Sequence, residues 1–584
     1  MVARLCIHSA FYEGGALVIR PLGYDILGAC IQTALYIYLI YMERSLSSAG
    51  SALKDAKYQG RTNTGLQKYN GSWTRNEVQH LLKRTLFGST KKDIDQFTAA
   101  GLNATLDAIL NYSATLPAPP LNEYNSANVT DPAVPAGATW VNNPTNDGTI
   151  NGARRTSFKK WWMGLMINQE SNIREKMTLF WANHFGTESN DIGNGVWVYN
   201  HHTLLRQYAV GNFKQLIRAV TIDPGMLRYL NGYVNTASAP DENYARELQE
   251  LFTLGKGSTV LYTEEDVRTA ARVLTGWRIN SSFVTYFDAS RHDTKAKVFS
   301  SYYGGKQITG KTGAAGADET NELIDMIFQQ EEVSKYICRK LYRWFVYYKI
   351  DTAAEQNVIE PLAKIFRDNN YEIKPVLRAL FESQHFFDAL NQGCFIKSPV
   401  DYVVSCLREF GVVFPSTYTH QYIMWNYIRN WCTNMTQDLA EPPNVSGWPA
   451  YYQEPQFHEI WINSDTLPKR NRFTDTMITS GYTNSGQKIL IDAVGFAKQL
   501  NNPSDPNKLI DEILAVIYRV PLSATLKQNI KQQILLSNQS SDHYWTDEWN
   551  AYIQNPSAGN FNLVNSRLRS LLQYFMNLPE YQLS

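Results

Sequence analysis

His184 is the first residue whose type and position fit a chemical role. In the segment that ends in MTLFWANHF, Ile173, Met177, Phe180 and His184 recur at helical spacing, which puts His184 on the apolar face of a predicted helix. A histidine in this position is either a metal ligand or acid–base group, or a core residue held by hydrogen bonds. The sequence leaves both interpretations open.

A pair of carboxylates follows in DENYARELQELFTLG. Glu247 and Glu250 lie one turn apart on a predicted helix, as a general base or a pair of metal ligands would. A structural alternative fits the same segment, because Glu242, Arg246 and Glu250 have the spacing of an ion ladder. The neighbouring predicted helix carries two further cations for such a ladder, Arg268 and Arg272.

The third polar cluster is RHDTK, in a stretch without helical period. It contains His292, Asp293 and Lys295, and loops are where functional residues are often placed. His184, Glu247 and His292 together would supply nitrogen and oxygen ligands for a divalent metal, although their spacing is not local.

An aromatic motif, EPPNVSGWP, ends at Trp448 and Pro449 and is followed by Tyr451, Tyr452 and Trp461. Exposed aromatic clusters bind sugars or peptides well, which makes Trp448 a candidate ligand-binding residue. The alternative is that Trp448 fixes a rigid turn into the core.

The elements that must position these residues are predicted to be helices. Capping boxes begin helices at Thr74, Thr90 and Thr263, and helical period also runs through residues 204–230. The sequence therefore predicts a mainly α protein, a multi-helix bundle with a small β-hairpin region near 283–311 and long irregular loops. The longest loop is the Pro- and Asn-rich segment 116–149.

The chain is predicted to divide into a leader and one large domain. Residues 1–60 contain an uncharged apolar run at 26–42, which is near the lower limit of about 17 residues for crossing a bilayer. We interpret residues 1–60 as an export signal or membrane anchor. The alternatives are a start codon assigned too far upstream and a core helix of the fold at 26–42. Residues 61–480 form the helical core, and residues 481–584 form a C-terminal helical part of the same domain.

Composition excludes several classes of protein. Lys and Arg number 55 against 54 Asp and Glu among 584 residues, so no nucleic-acid partner is expected, and membrane contact is expected only through residues 26–42. The six cysteines form no C-x-x-C pair, and no HExxH, GxSxG or P-loop motif occurs. Common enzyme classes with local signatures are thereby disfavoured.

Seven motifs in order resemble the bacterial domain of unknown function 1800 family over about residues 73–584. They are LLKRTLFG, MTLFWANHF, GNFKQLIRAVTIDPGMLRYL, ENYARELQELFTLG, YTEEDVRTAARVLTGW, the HDTK cluster and PPNVSGWP. The resemblance implies an exported, uncharacterised protein, often encoded beside a sulfatase-like protein of the domain of unknown function 1501 family. The family pattern often has histidine at Ala182 and aspartate at Asn231, and this departure weakens a metal site at those positions.

The expected function is that of an exported envelope protein, located in the periplasm, the outer envelope or outside the cell. A pocket built from the His184 helix, the 244–254 helix and the 291–295 loop would bind or process an extracellular glycan or modified polymer. The candidate catalytic residues are Glu247, Glu250, His184, His292 and Asp293, and the candidate substrate-binding residues are Arg246, Arg268, Arg272, Lys295 and Trp448. Whether the chain is an enzyme stays open, as does its cofactor, for which a divalent metal is the candidate. The alternative is a non-catalytic scaffold for the sulfatase-like neighbour.

Overall fold

The computed structural model describes the backbone of residues 8–13 and 16–21 and the whole of residues 64–257 and 260–584. Two compact units result, the larger consisting of residues 61–521 and 529–584. The smaller unit contains an antiparallel hairpin of β1 (His8–Glu13) and β2 (Ala16–Pro21), in which His8 is opposite Pro21. The predicted segment 26–42 lies outside the described residues.

Helices make up most of the larger unit, which confirms the predicted mainly α fold class. The helices up to residue 273 are Arg75–Thr85, Lys91–Ala100, Leu102–Leu110, Gly148–Asn168, Arg174–His184, Ser189–Ile192, Gly195–Gln207, Phe213–Thr221, Pro224–Tyr229, Asn243–Glu247 and Glu264–Val273. The later ones are Asp318–Ile327, Glu331–Phe345, Thr352–Ala354, Glu360–Asp368, Ile373–Phe381, Pro399–Glu409, Tyr418–Asn434, Thr466–Thr479, Ala493–Ala497, Pro506–Ile517, His543–Gln554 and Ala558–Asn577. The helix Ala524–Ile530 falls mostly within residues 522–528, which belong to the smaller unit.

Three predicted capping boxes are present in the structure. The hydroxyls of Thr74, Thr90 and Thr263 each accept a backbone N–H of the first turn, and the acidic residue three positions later accepts the N–H of the threonine. These bonds satisfy N–H groups that have no partner inside the helix. The local sequence thus fixes where these helices begin.

Strands occur as short antiparallel pairs. β3 (Trp277–Ile279) pairs with β4 (Thr285–Phe287), and β5 (Lys297–Val298) pairs with β6 (Gln307–Ile308). The hairpin region predicted near 283–311 therefore consists of two hairpins, the first of which begins before residue 283. A further hairpin, β7 (Tyr482–Asn484) with β8 (Gln487–Ile489), was not predicted.

The core brings together helices that are distant in sequence. Gly148–Asn168 packs along Tyr418–Asn434, and the close approach depends on Gly164, where a Cβ would lie 2.6 Å from the Trp425 ring. The segment between Leu110 and Gly148 is irregular, as predicted for 116–149. It is held by a buried ion pair in which Arg154 Nη2 lies 2.7 Å from Asp131 Oδ2.

Candidate functional site

His184 is a buried residue with both ring nitrogens in use. Its Nε2–H donates to the Phe252 carbonyl at 3.1 Å, and its Nδ1 accepts from Lys340 Nζ at 3.0 Å. Burial lowers the pKa of the imidazole well below its usual value, and the Lys340 charge lowers it further. The ring is therefore neutral and saturated, which is the geometry of a core histidine.

The helix that contains the carboxylate pair begins as Asn243–Glu247 and continues as a π-helix over Leu248–Thr253. Its charged side chains form the ladder that the spacing allowed. Arg246 lies 2.7 Å from Glu264 and 3.0 Å from Glu242, and it also contacts Glu250. Lys256 contacts Glu250 as well, and Arg268 pairs with Glu242 and Glu265.

Glu247 differs from its neighbours because its carboxylate has no hydrogen bond or ion pair within residues 64–257 and 260–584. The side chain is half-buried. Burial raises the pKa of Glu247, and the nearby charge of Glu250 raises it further. Glu247 is therefore the one member of the predicted catalytic set whose side chain is left unpaired in the described structure.

His292 and Asp293 belong to another cluster. His292 Nδ1 donates to the Thr275 carbonyl at 2.9 Å, while its Nε2 lies 3.1 Å from Glu319 Oε1. Glu319 also pairs with buried Lys297 at 2.5 Å. Burial opposes ionisation of Asp293, but the hydrogen bond from Arg272 at 2.7 Å holds its pKa below the usual range.

The predicted residues thus separate into two sets of partners. The His184 ring meets the 248–253 segment through Phe252, whereas His292 contacts Thr275 and Glu319, and Lys295 is exposed. In the described part of the chain, no group of three or more His, Cys, Asp or Glu side chains is arranged to hold a metal ion. The metal set of His184, Glu247 and His292 remains a prediction from sequence.

A small, partly open cleft lies elsewhere in the larger unit. We call it the Trp344 cleft, after a residue of the helix Glu331–Phe345. Its aromatic lining comes from three parts of the chain and comprises Trp344, Tyr348, Phe395, Tyr451, Phe457 and Trp461. The Trp344 and Tyr451 ring centroids are 4.3 Å apart, and those of Tyr348 and Phe457 are 5.4 Å apart.

The polar lining of the Trp344 cleft is mainly cationic, with Lys83, Arg84, Lys176 and Arg343 against the single side-chain carboxylate of Asp401. Lys176 pairs with Asp401, and Lys83 pairs with buried Glu409 at 2.5 Å. Three buried donor atoms of the lining have no hydrogen-bond partner among the described residues: Trp344 Nε1, Arg84 Nε and His458 Nε2. Other buried side chains of this protein also have an unpartnered polar atom, and these three are distinguished by belonging to residues that line one cleft.

The EPPNVSGWP motif positions one wall of this cleft. Trp448 is buried, and its backbone N–H donates to Asn183 Oδ1 at 2.9 Å, so that motif meets the MTLFWANHF segment. Gly447 is required there, because its φ is +89° and a Cβ would lie 2.4 Å from the Asn183 carbonyl oxygen. Trp448 therefore fixes the turn into the core, and the residues that line the cleft are the following Tyr451 and Trp461.

Sequence reasoning missed most of the Trp344 cleft. Arg84 lies in LLKRTLFG, which was recognised only as a family motif. The available signal was the pair of adjacent cations, Lys83 and Arg84, within an otherwise apolar helical string. Both are buried in the structure, where charged side chains are rare unless they have a partner.

The fold and the cleft define a mainly α-helical protein with a small aromatic cleft. The family model described as "Protein of unknown function (DUF1800)" matches residues 80–583. The chain therefore belongs to this family, as the ordered motifs predicted. No curated protein and no solved structure matches it.

Among residues 64–257 and 260–584, no helix has both the length and the apolar character needed to cross a bilayer.

Proposed function

We propose that this chain is an exported protein of the bacterial envelope that binds a saccharide unit of a glycan or modified polymer in the Trp344 cleft. The observation that carries the proposal is the combination of aromatic walls with unpartnered donors in one cleft. Family membership and the apolar run at residues 26–42 support the envelope location.

The lining of the cleft has the chemistry that a saccharide needs. Small-ligand sites are mostly apolar with a few polar groups that fix orientation, and this cleft combines six aromatic side chains with a few polar ones. Aromatic faces pack against the apolar face of a sugar ring, and indole N–H groups donate to hydroxyl oxygens. Trp344, whose Nε1 has no partner among the described residues, is one of the residues that line this cleft.

Binding is favoured over processing by the state of the cleft's ionisable groups. Asp401 accepts from the Ser398 hydroxyl at 3.0 Å and pairs with Lys176, so it is not free to act as a base. His458 is kept neutral, because burial and then the Arg84 charge lower its pKa to about 4. The proposal is therefore a binding function without a catalytic step.

The test is a titration of the full chain with envelope oligosaccharides, in which binding is measured by tryptophan fluorescence and by calorimetry. The variant Tyr451→Ala removes one wall and should weaken binding about tenfold, which corresponds to about 1.4 kcal/mol. Tyr452→Ala is the matched control, because Tyr452 is the exposed neighbour and does not line the cleft. Equal affinity in the two variants, or no binding by the unmodified chain, would reject the proposal.

A further inference from the structure

Arg84 is a buried cation that lacks an anionic partner. The residue is 4% exposed, and its Nη2 donates to the Asn391 carbonyl at 2.8 Å and to Cys394 Sγ at 3.1 Å. Its guanidinium lies over the Phe395 ring at 4.3 Å, and its Nε has no partner. No carboxylate pairs with Arg84 within the described residues. A buried charge without a counterion is strongly destabilising, so this arrangement needs a reason.

The surroundings of Arg84 offset its charge only in part, through the Cys394 thiol and through Asp401, with which it forms no ion pair. Lys176 and His458 are buried in the same cleft, where burial lowers the pKa of each and the Arg84 charge lowers it further, although the pairing of Lys176 with Asp401 acts in the opposite direction. Asp401 lines the same cleft, but it already pairs with Lys176. The half-buried Arg343 adds another cation to the same cleft, with its Nε donating only to the Tyr348 carbonyl.

His458 adds a neutral donor next to this charge. Its Nδ1 accepts the Ile396 backbone N–H at 3.2 Å, so the ring proton is on Nε2. That Nε2 is buried without a partner, and His458 itself is 9% exposed. Arg84 Nε and His458 Nε2, both without a hydrogen-bond partner among the described residues, therefore belong to two residues that line the same cleft.

We propose that Arg84 and His458 form a subsite for an oxyanion, namely a carboxylate, sulfate or phosphate group carried by the saccharide. The anion supplies the missing counterion for Arg84 and accepts the Nε2–H of His458, as charge-assisted hydrogen bonds to oxyanions do. The identity of the ligand as an acidic saccharide rests on the proposed function, whereas binding of the anionic group can be tested by itself.

The test measures binding of inorganic sulfate and inorganic phosphate to the full chain by calorimetry at constant ionic strength. The unmodified chain should bind at least one of them, and Arg84→Gln should weaken that binding at least tenfold. Arg75→Gln is the control on the same helix, because Arg75 is only partly buried, pairs with Asp95 at 2.6 Å and does not line the cleft. It should bind as the unmodified chain does.

A second variant and a stability measurement keep the test decisive if Arg84→Gln folds poorly. His458→Phe preserves a ring while removing the donor, and it should weaken anion binding several-fold. Without anion, Arg84→Gln should unfold at the same temperature as the unmodified chain or higher, and sulfate should raise the unfolding temperature of the unmodified chain only. A loss of stability in Arg84→Gln with no effect of either anion on the unmodified chain would overturn the subsite.

A series of oligosaccharides with the same backbone identifies which acidic group binds. The affinities of the neutral, uronic, sulfated and phosphorylated forms are compared. A preference for one acidic form that disappears in Arg84→Gln identifies the group. Binding of neutral forms with no effect of acidic groups overturns the subsite but leaves the proposed function intact. Binding of inorganic anions without any saccharide would reject the saccharide function and retain the subsite.

Discussion

Lys340 is a lysine whose Nζ donates to the His184 imidazole, with no carboxylate partner in the described part of the chain. Burial, and then the Arg343 charge, lower its pKa to about 7. An unfolded lysine has a pKa of about 10.4, so between these values the unfolded chain binds more protons than the folded chain. Stability should therefore rise with pH through this window.

The check is chemical denaturation from pH 7.5 to 9.5. As pH rises, the free energy of unfolding of the unmodified chain should increase relative to that of Lys340→Met. Lys335→Met is the control on the same helix, because Lys335 pairs with Glu360 at 3.1 Å near the surface. A constant difference between the unmodified chain and Lys340→Met would show that Lys340 stays charged.

Glu247 and Glu250 should respond differently to neutralisation, although sequence spacing treats them as a pair. Glu250→Gln loses contacts with Arg246 and Lys256 and should cost about 1 kcal/mol. Glu247→Gln removes a half-buried charge that has no partner in the described structure, so the free energy of unfolding at pH 7 should stay the same or rise. If Glu247→Gln is the more destabilising of the two, Glu247 has a structural partner that this account lacks.

At the scale of an element, a prediction concerns the turn before Pro449, where the EPPNVSGWP motif contacts the MTLFWANHF segment. Gly447→Ala meets both a left-handed backbone and a clash with Asn183, and it should displace Tyr451 from the cleft. Gly486→Ala is the control that has the same backbone strain but no clash. The φ of Gly486 is +78°, and no atom lies within 4 Å of its Cβ position. Thermal unfolding should give a cost of about 1 kcal/mol for Gly486→Ala, and at least about 1 kcal/mol more for Gly447→Ala. Equal costs would mean that the turn moves freely.

Helix starts were predictable where side chains mark them, and helix lengths were not. Thr74, Thr90 and Thr263 begin helices as expected, because capping is a local interaction. The helical period across 204–230, by contrast, is divided among three helices. Asn212 and Asp223 cap new starts within it, and Pro224 follows at the first position of a helix. The apolar pattern continues across these helix ends, so periodicity alone predicts helices that are too long.

For the molecule as a whole, the sequence was enough to predict the fold class and the family but not the cleft. Helical period predicted the fold class and the ordered motifs predicted the family, because both are local signals in the sequence. The Trp344 cleft is assembled from residues near positions 84, 176, 344, 396 and 458, whose proximity depends on packing between distant helices. Similarly, the spacing of Arg246 fits two roles equally well. It could bind a substrate group or pair with the glutamates of an ion ladder.

Hydrogen exchange of the full chain with an acidic oligosaccharide tests the binding account most directly, because it locates the ligand. Protection should appear in residues 344–348, 395–398 and 449–461, and it should weaken in Tyr451→Ala but not in Tyr452→Ala. Protection concentrated in residues 242–256 and 291–295 would instead favour the site predicted from the sequence. That result would contradict the assignment of binding to the Trp344 cleft.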